Sequence, residues 1–165
     1  AGAKITTGQI DAVDAAMDLA PILFSAEAYG TWKTEIEAAP DKMFARILDR
    51  FRSGAEFSAP DYVAAWQSLD RGRQSYAAET AAYDAVLLPT PPNLPPKRQR
   101  LLGDDAYYVT ENLMTLRNTR VGNLMGLSGL TLPTGVPSCG LMLLGPPMGE
   151  ERLLRLGAAA EAVLA

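Results

Sequence analysis

The first half of the chain carries apolar residues at the three- and four-residue spacing of helices. In residues 9–28 the apolar positions Ile10, Val13 and Met17 lie on one helical face. Pro21 lacks an amide hydrogen and clashes with the preceding turn, so we expect a break or kink there. This segment therefore predicts a helix that is interrupted or bent near its middle.

Two further helices are predicted before residue 83. Asp41 is a candidate N-cap for a helix that ends at Ser53-Gly54, and its apolar side comprises Met43, Phe44, Ile47, Leu48 and Phe51. The third helix starts with Ser58 as cap, Pro60 in the first turn and Asp61 three residues after the cap. Its stripe of large residues runs along Tyr62, Trp66, Leu69, Tyr76 and Tyr83, which favours a helix packed on a core.

After residue 83 the pattern changes to short apolar runs separated by loops. Residues 85–88 predict a buried strand that ends at Pro89, and the proline-rich residues 89–103 predict an extended loop. Residues 104–122 predict a helix, and residues 129–132 and 141–144 predict two strands joined by a connection too short for a crossover helix. We therefore expect an antiparallel pair.

A final helix is predicted from Glu150 and Glu151, whose carboxylates suit a helix N-terminus. Its expected buried face comprises Leu153, Leu156, Ala160 and Val163. The whole pattern divides the chain into a tail or linker over 1–8, a helical layer over 9–82 and a strand-helix region over 83–165, which together form one incomplete domain.

The composition excludes several kinds of chemistry. The 165 residues include no histidine, which removes Ser-His-Asp and Cys-His nucleophile arrangements and the common histidine-containing zinc sites. The single cysteine, Cys139, cannot form an internal disulfide, and a turn or pocket position is favoured over a nucleophile. The formal charge of −4 gives no general attraction to nucleic acid. We expect no metal, no cofactor, no membrane span and a cytoplasmic location.

Three sequence segments, in order, resemble those of one enzyme family. The run from Tyr83 to Pro92 (YDAVLLPTPP) is similar to the YDALLLPTxP strand and turn of amidase-signature enzymes. Residues 118–135, with Asn118-Thr119-Arg120 and NLMGL at 123–127, resemble NTxxxNLxGLPALSLPxG. Residues 140–156 (GLMLLGPP, then EERLLRL) resemble the ending GLQLIGPPxxEExLLRLA. The order and spacing of the three segments identify the chain as the C-terminal part of an amidase-signature protein.

The resemblance implies an α/β fold: the C-terminal portion of an α/β/α sandwich with a mixed sheet, preceded by a mostly helical part. It also implies hydrolysis of an amide bond by a serine, a second serine in a cis peptide, and a lysine. No GGSSGG-like run is present, and the four lysines (Lys4, Lys33, Lys42 and Lys97) match none of the family's catalytic context. We therefore expect no catalytic residue in this chain.

The resemblance also suggests substrate-binding residues. Some family members have an acidic residue near the position of Leu116 that receives the substrate's amino group, so leucine there favours an apolar amide. Leu116, Thr119 and Asn123 are the candidate substrate-binding residues, although Leu116 could equally be core and Asn123 could hydrogen-bond its own backbone. Ser128 replaces the family's usual proline, so the local turn is expected to be looser.

Two other functions remain open on the sequence alone. The chain could be a non-catalytic binding or assembly module that reuses half of the amidase fold, or an inactive fragment. In the leading interpretation it supplies strands and part of the substrate pocket for a small-molecule amide. Strands deprived of the rest of their sheet expose apolar surface, so we expect the chain to bind an N-terminal half or to self-associate through its sheet edge.

Overall fold

The computed structural model describes residues 2–164 of the chain. These residues form two compact units: residues 10–75 make one, and residues 76–164 together with the segment before residue 10 make the other.

The unit of residues 10–75 is built from helices. Helix α1 spans Asp11–Ala38, α2 spans Ala45–Arg52, and α3 spans Ala59–Thr80 and continues past the end of the unit. A 3-10 turn at Ser53–Glu56 follows α2 and packs on α1. A Cβ added at Gly54 in this turn would lie 2.0 Å from the carbonyl oxygen of Ser25, so only glycine permits the contact with α1.

The structure differs from the sequence predictions for this unit at two places. Helix α1 runs through Pro21 and continues ten residues past the predicted end at Ala28. The proline side chain is exposed whereas Ala20 and Leu23 are buried, and packing of these neighbours outweighs the hydrogen bond that proline cannot donate. Asp41 is not an N-cap, because it lies in a separate 3-10 turn, Pro40–Lys42, and α2 begins only at Ala45.

The predicted start of the third helix is confirmed. The amide of Asp61 donates to Ser58 Oγ at 3.2 Å, and the Ser58 hydroxyl donates to the Asp61 carboxylate at 2.6 Å. The first of these bonds satisfies one of the backbone amides that the first turn of a helix otherwise leaves open, and the second orients the Ser58 hydroxyl. Within the stripe, Leu69 and Tyr76 are buried, whereas Tyr83 lies beyond the helix and is 53% exposed.

The second unit contains a three-stranded antiparallel sheet. Strands β1 (Val86–Pro89), β2 (Ser128–Pro133) and β3 (Gly140–Gly145) occur in the order β1-β3-β2. Leu87 pairs with Leu143, and Leu130 pairs with the same residue from the other side. The predicted antiparallel pairing of the last two strands is confirmed, and β3 is central with Met142, Leu143 and Leu144 all buried.

Helix α7, Glu150–Leu164, covers one face of this sheet. Its Leu153 joins Leu132 of β2 and Leu143 of β3 in a buried cluster, and Leu156 and Ala160 pack against the same cluster. Val163 was predicted to belong to the buried face but is 59% exposed, and Leu164 of the same last turn packs against the cluster instead. The other side of β3 faces α6 (Arg117–Met125), where an added Cβ at Gly122 would lie 3.4 Å from Leu144.

The region between β1 and β2 contains three helices rather than one. Helix α4 (Arg98–Gly103) lies within the predicted loop, and the predicted helix 104–122 is divided at Leu116 into α5 (Asp105–Thr115) and α6. Asp104 caps α5, since its side chain accepts from the amide of Tyr107 at 2.9 Å. Gly126 follows α6 as its C-cap, and its left-handed φ of 68° favours glycine.

Ser128 makes the start of β2 tighter than the sequence led us to expect. The residue is buried, its hydroxyl donates to the carbonyl of Pro146 at 3.1 Å, and its Oγ accepts from the amide of Gly149 at 3.1 Å. These two bonds tie β2 to the turn between β3 and α7, so the residue that replaces proline is a structural bridge.

Candidate functional site

The candidate site lies where the α5–α6 bend meets the end of β1. The side-chain amide of Asn118 donates to the carbonyl of Pro89 at 2.6 Å. Pro89 is the last residue of β1 and Asn118 is in the first turn of α6. The sheet therefore fixes the position of the bend, and with it the position of Leu116.

Asn93 makes a second connection between the loop after β1 and α5. Its Nδ2 donates to a carboxylate oxygen of Glu111 at 2.8 Å and lies 3.1 Å from Thr115 Oγ1. The Thr115 hydroxyl in turn lies 3.2 Å from Asn93 Oδ1. Because an ionised carboxylate only accepts hydrogen bonds, the contact with Glu111 sets the orientation of the Asn93 amide. One asparagine thus fixes one side of α5 to the loop.

Thr90 completes the attachment of this loop to the sheet. Its amide donates to the carbonyl of Gly140 at 2.9 Å, and its Oγ1 lies 3.3 Å from Thr131 Oγ1 on β2. A Cβ added at Gly140 would come within 2.9 Å of Thr90 Oγ1, so β3 must carry a glycine there. The turn after β1 is consequently bonded to β3 through its backbone and to β2 through a hydroxyl pair.

The three candidate substrate-binding residues follow one another along α6. Leu116 lies at the bend and is 42% exposed. Thr119 is half-buried and its hydroxyl donates to the carbonyl of Leu116 at 3.1 Å, while Asn123 is exposed one turn further on. The spacings of three and four residues put them on the same side of the helix. Their role in binding substrate stays a prediction.

Sequence reasoning missed three polar residues of this region. Asn93, Glu111 and Asn118 organise the bend, but only Asn118 lay in a matched motif, and it carried no predicted role. Their partners are 29 or fewer residues away along the chain, yet the contacts depend on how α5 folds back towards β1. The sequence offers no periodic signal for such contacts.

A separate cluster in the helical unit is structural in character. Arg52 binds both carboxylate oxygens of Glu37, at 2.9 and 2.7 Å, and the Tyr29 hydroxyl donates to Glu37 at 3.1 Å. The hydrogen bonds from Arg52 lower the pKa of Glu37. Desolvation, followed by the bond to Glu37, raises the pKa of Tyr29. These contacts join α1 to the end of α2 at the surface.

The same unit has a shallow open groove of about 410 Å³, lined by Trp32, Glu35, Ile36, Ala39, Lys42, Met43 and Phe51. It contains no serine or cysteine, and its two charged residues, Glu35 and Lys42, are both exposed. The groove therefore lacks a serine or cysteine nucleophile.

Residues 2–164 contain neither a cluster of metal-ligating side chains nor a long apolar helix. No group of three or more acidic or cysteine side chains there could hold a metal ion. Within the same residues, none of the helices is long and apolar enough to cross a membrane.

Sequence comparison finds several curated relatives, although no protein-family model matches the chain. The chain is 33% identical over 122 residues to the 2-amino-5-chloromuconic acid deaminase of Comamonas testosteroni. This alignment covers 72% of the chain and 26% of the deaminase. It is 36% identical over 114 residues to a fatty acid amide hydrolase of Oryza sativa, covering 64% and 18%. It is 30% identical over 118 residues to a glutamyl-tRNA(Gln) amidotransferase subunit of Halobacterium salinarum, covering 70% and 27%. The chain thus spans about a quarter or less of the length of these relatives.

Solved structures show the same fold within larger chains. The allophanate hydrolase of Kluyveromyces lactis superposes with a TM-score of 0.82 and 22% identity, over 94% of this chain and 26% of the other. The corresponding glutamyl-tRNA(Gln) amidotransferase subunit of Thermotoga maritima superposes with a TM-score of 0.68 and 20% identity, over 93% and 33%. At these identities the likeness establishes the fold.

Proposed function

The chain belongs to the amidase-signature family, where it corresponds to the C-terminal part, and from this premise we propose that it is the non-catalytic C-terminal portion of an amide-bond hydrolase. In this proposal it contributes core strands and one wall of the substrate pocket. The catalytic serines and lysine lie outside these residues.

The observation that carries the proposal is the match between sequence similarity and structure at the α5–α6 bend. The three segments that resemble the family form β1 with its turn, α6 with β2, and β3 with α7. Hydrogen bonds from Asn118 and Thr90 connect the first two segments to each other and to the third. The family-like residues are therefore contiguous in space as well as ordered in sequence, which supports a shared role.

The exposure of the lysines supports a catalytic centre elsewhere. A lysine that acts as a base must be neutral, and removal from water is a principal way to achieve this. Lys4, Lys33, Lys42 and Lys97 are all exposed. Ser25 and Ser128 are buried, and the Ser128 hydroxyl already makes two hydrogen bonds, to the carbonyl of Pro146 and from the amide of Gly149. No pair of these residues forms a nucleophile with its base.

We further propose that Leu116, Thr119 and Asn123 line the acyl side of the pocket and that the substrate is an apolar amide. Leu116 presents an aliphatic side chain at the bend, and nearly half of it is exposed and accessible to a ligand. The relative named as a fatty acid amide hydrolase supports an apolar acyl group. Thr119 and Asn123 would supply polar contacts beside it. The proposed location is the cytoplasm.

A chimera tests the pocket assignment. In this chimera, residues 1–165 replace the region of the Comamonas deaminase to which the chain is similar. Leu116→Asp should lower kcat/KM for an aliphatic amide at least about tenfold, because a carboxylate would be desolvated against an apolar group. Leu154→Asp, at an exposed leucine of α7, is the matched control and should leave kcat/KM unchanged.

The 165-residue chain by itself should neither hydrolyse amides nor react with a serine-directed fluorophosphonate. Turnover by the isolated chain that disappears on changing one of its own serines would contradict the proposal. Equal activity of Leu116→Asp and unmodified chimeras on aliphatic amides would remove Leu116 and Thr119 from the pocket but would leave the family assignment intact.

The proposed partner of the isolated chain is the N-terminal half of the enzyme, with self-association as the alternative. Strands β1 and β2 each pair on one side only within the described sheet, and Leu87 of β1 is 39% exposed. Unpaired strand edges promote association. Size-exclusion chromatography with light scattering should show a mass above that of the monomer. A stable monomer would instead favour the binding-module interpretation.

A further inference from the structure

Helix α5 leaves an apolar stripe exposed to solvent, whereas its half-buried residues include both polar and aromatic side chains. Glu111 and Thr115 face the loop after β1, where Asn93 bonds to both. The opposite side carries Val109 and Leu113, which are 51% and 42% exposed, and Leu116 continues this side at the bend with 42% exposure. The spacings of four and three residues put these apolar residues in one stripe. A surface helix usually turns its apolar residues towards the protein, so this exposed stripe departs from the usual arrangement.

No residue of α5 is buried. The helix has 11 residues, and isolated helices shorter than about 12–15 residues are marginal in water. In folded proteins, helices gain most of their stability by packing an apolar face. The neighbouring helix α4 has no buried residue either, and its Leu102 is 64% exposed. The Asp104 cap and the Asn93 contacts position α5, but they bury none of its apolar stripe.

The relatives indicate what covers this stripe. The chain matches 26% of the Comamonas deaminase, and the fold occupies 26% of the Kluyveromyces allophanate hydrolase at a TM-score of 0.82. In these proteins the same fold therefore occurs together with roughly three times as much additional chain. Apolar stripes of this kind indicate an interface when they are exposed in a part of a larger protein.

We propose that the stripe of Val109, Leu113 and Leu116 is a docking surface for the catalytic portion of the amidase-signature fold. The occupant is an apolar surface of that portion, and docking closes the pocket at Leu116. This inference rests on the proposed function, because it requires a catalytic portion outside these residues. It differs from an association through the sheet edge, since it places the main contact on α5.

Hydrogen exchange measured by mass spectrometry tests the proposal. In the 165-residue chain alone, the amides of α5 should exchange at least tenfold faster than those of β3. In the chimera with the Comamonas protein, the α5 amides should exchange at least tenfold more slowly than in the isolated chain. Leu113→Glu in the chimera should abolish this gain. Val163→Glu places the same charge on an exposed apolar residue of α7 and should leave the gain unchanged.

Several outcomes would overturn the proposal. Exchange of α5 in the isolated, monomeric chain as slow as that of β3 would mean that the stripe needs no partner, and this measurement does not depend on the folding of the chimera. Concentration-dependent protection of α5 in the isolated chain would identify a second copy as the occupant. Equal effects of Leu113→Glu and Val163→Glu would remove the specificity of the stripe.

The readout also separates this inference from the proposed function. Protection of α5 in an inactive chimera would uphold the docking surface while counting against the proposed pocket. An active chimera without added protection of α5 would support the proposed pocket while counting against the docking surface.

Discussion

Helices α5 and α7 belong to the same compact unit and use their apolar residues in opposite ways. Helix α7 buries Leu153 against β2 and β3, whereas α5 leaves Val109 and Leu113 about half exposed and buries no residue. Both helices carry apolar residues at helical spacing, so composition alone does not separate them. The comparison shows that an amphipathic pattern identifies an apolar face, but it does not show whether another element of this chain covers that face.

The largest expected effect is on the α7 side. Leu153→Ala should lower the free energy of unfolding by about 2–5 kcal/mol, because it removes a side chain that is 3% exposed from the cluster with Leu132 and Leu143. Chemical denaturation followed by circular dichroism measures this change. A loss below about 1 kcal/mol would mean that α7 is not held by this core.

Gly157 gives the next largest effect on the same helix. An added Cβ would lie 2.1 Å from Leu130 Cδ2, so Gly157→Ala should cost about 1–3 kcal/mol in disturbed packing, offset in part by the roughly 1 kcal/mol by which alanine is favoured over glycine in a helix. Gly103→Ala on α4 is the control, because an added Cβ there meets no atom within 4 Å. If the two substitutions have the same effect on thermal unfolding, close packing of α7 on β2 does not explain the change in stability caused by Gly157→Ala.

Removing the cap of α5 should have a smaller and local effect. Asp104→Ala loses the hydrogen bond from the Tyr107 amide and should destabilise α5 by about 1 kcal/mol. Amide exchange should accelerate in residues 105–115 and remain unchanged in α7. Asp104→Asn keeps an oxygen acceptor and should restore most of the protection. Faster exchange throughout the chain would contradict a local role.

The smallest effect is expected on the exposed stripe. Leu113→Ala should change the free energy of unfolding of the isolated chain by less than about 0.5 kcal/mol, since the side chain is 42% exposed. The same denaturation experiment as for Leu153 makes the comparison direct. A loss of about 2 kcal/mol or more would show that α5 is already packed in the isolated chain.

The sequence predicted the elements well where local rules decide them. The Ser58–Asp61 pair, the Asp104 start of α5 and the antiparallel pairing of residues 129–132 and 141–144 depend on neighbours or short connections. The structure has no break at Pro21 and no cap at Asp41, because packing of Ala20 and Leu23 and the 3-10 turn at Pro40–Lys42 override local preference. Periodicity also failed to predict helix α4 and the bend at Leu116.

The candidate site was predicted in part. The sequence selected Leu116, Thr119 and Asn123 through resemblance, and the structure puts them on one side of α6 without testing their role. The sequence could not select Asn93 and Glu111, because their contact requires the loop after β1 to meet α5. An asparagine in a proline-rich loop has no feature that predicts this partner.

The sequence by itself determined the order of the strands and of most helices, the family, and the absence of histidine from these 165 residues, because periodicity, motif order and residue type are properties of the chain. Only the tertiary structure decided which apolar faces are covered. Leu153 and Leu113 are both leucines on amphipathic helices, and only folding shows that one meets β2 and β3 while the other meets solvent. Burial depends on which segments come together in space, and no local pattern encodes that.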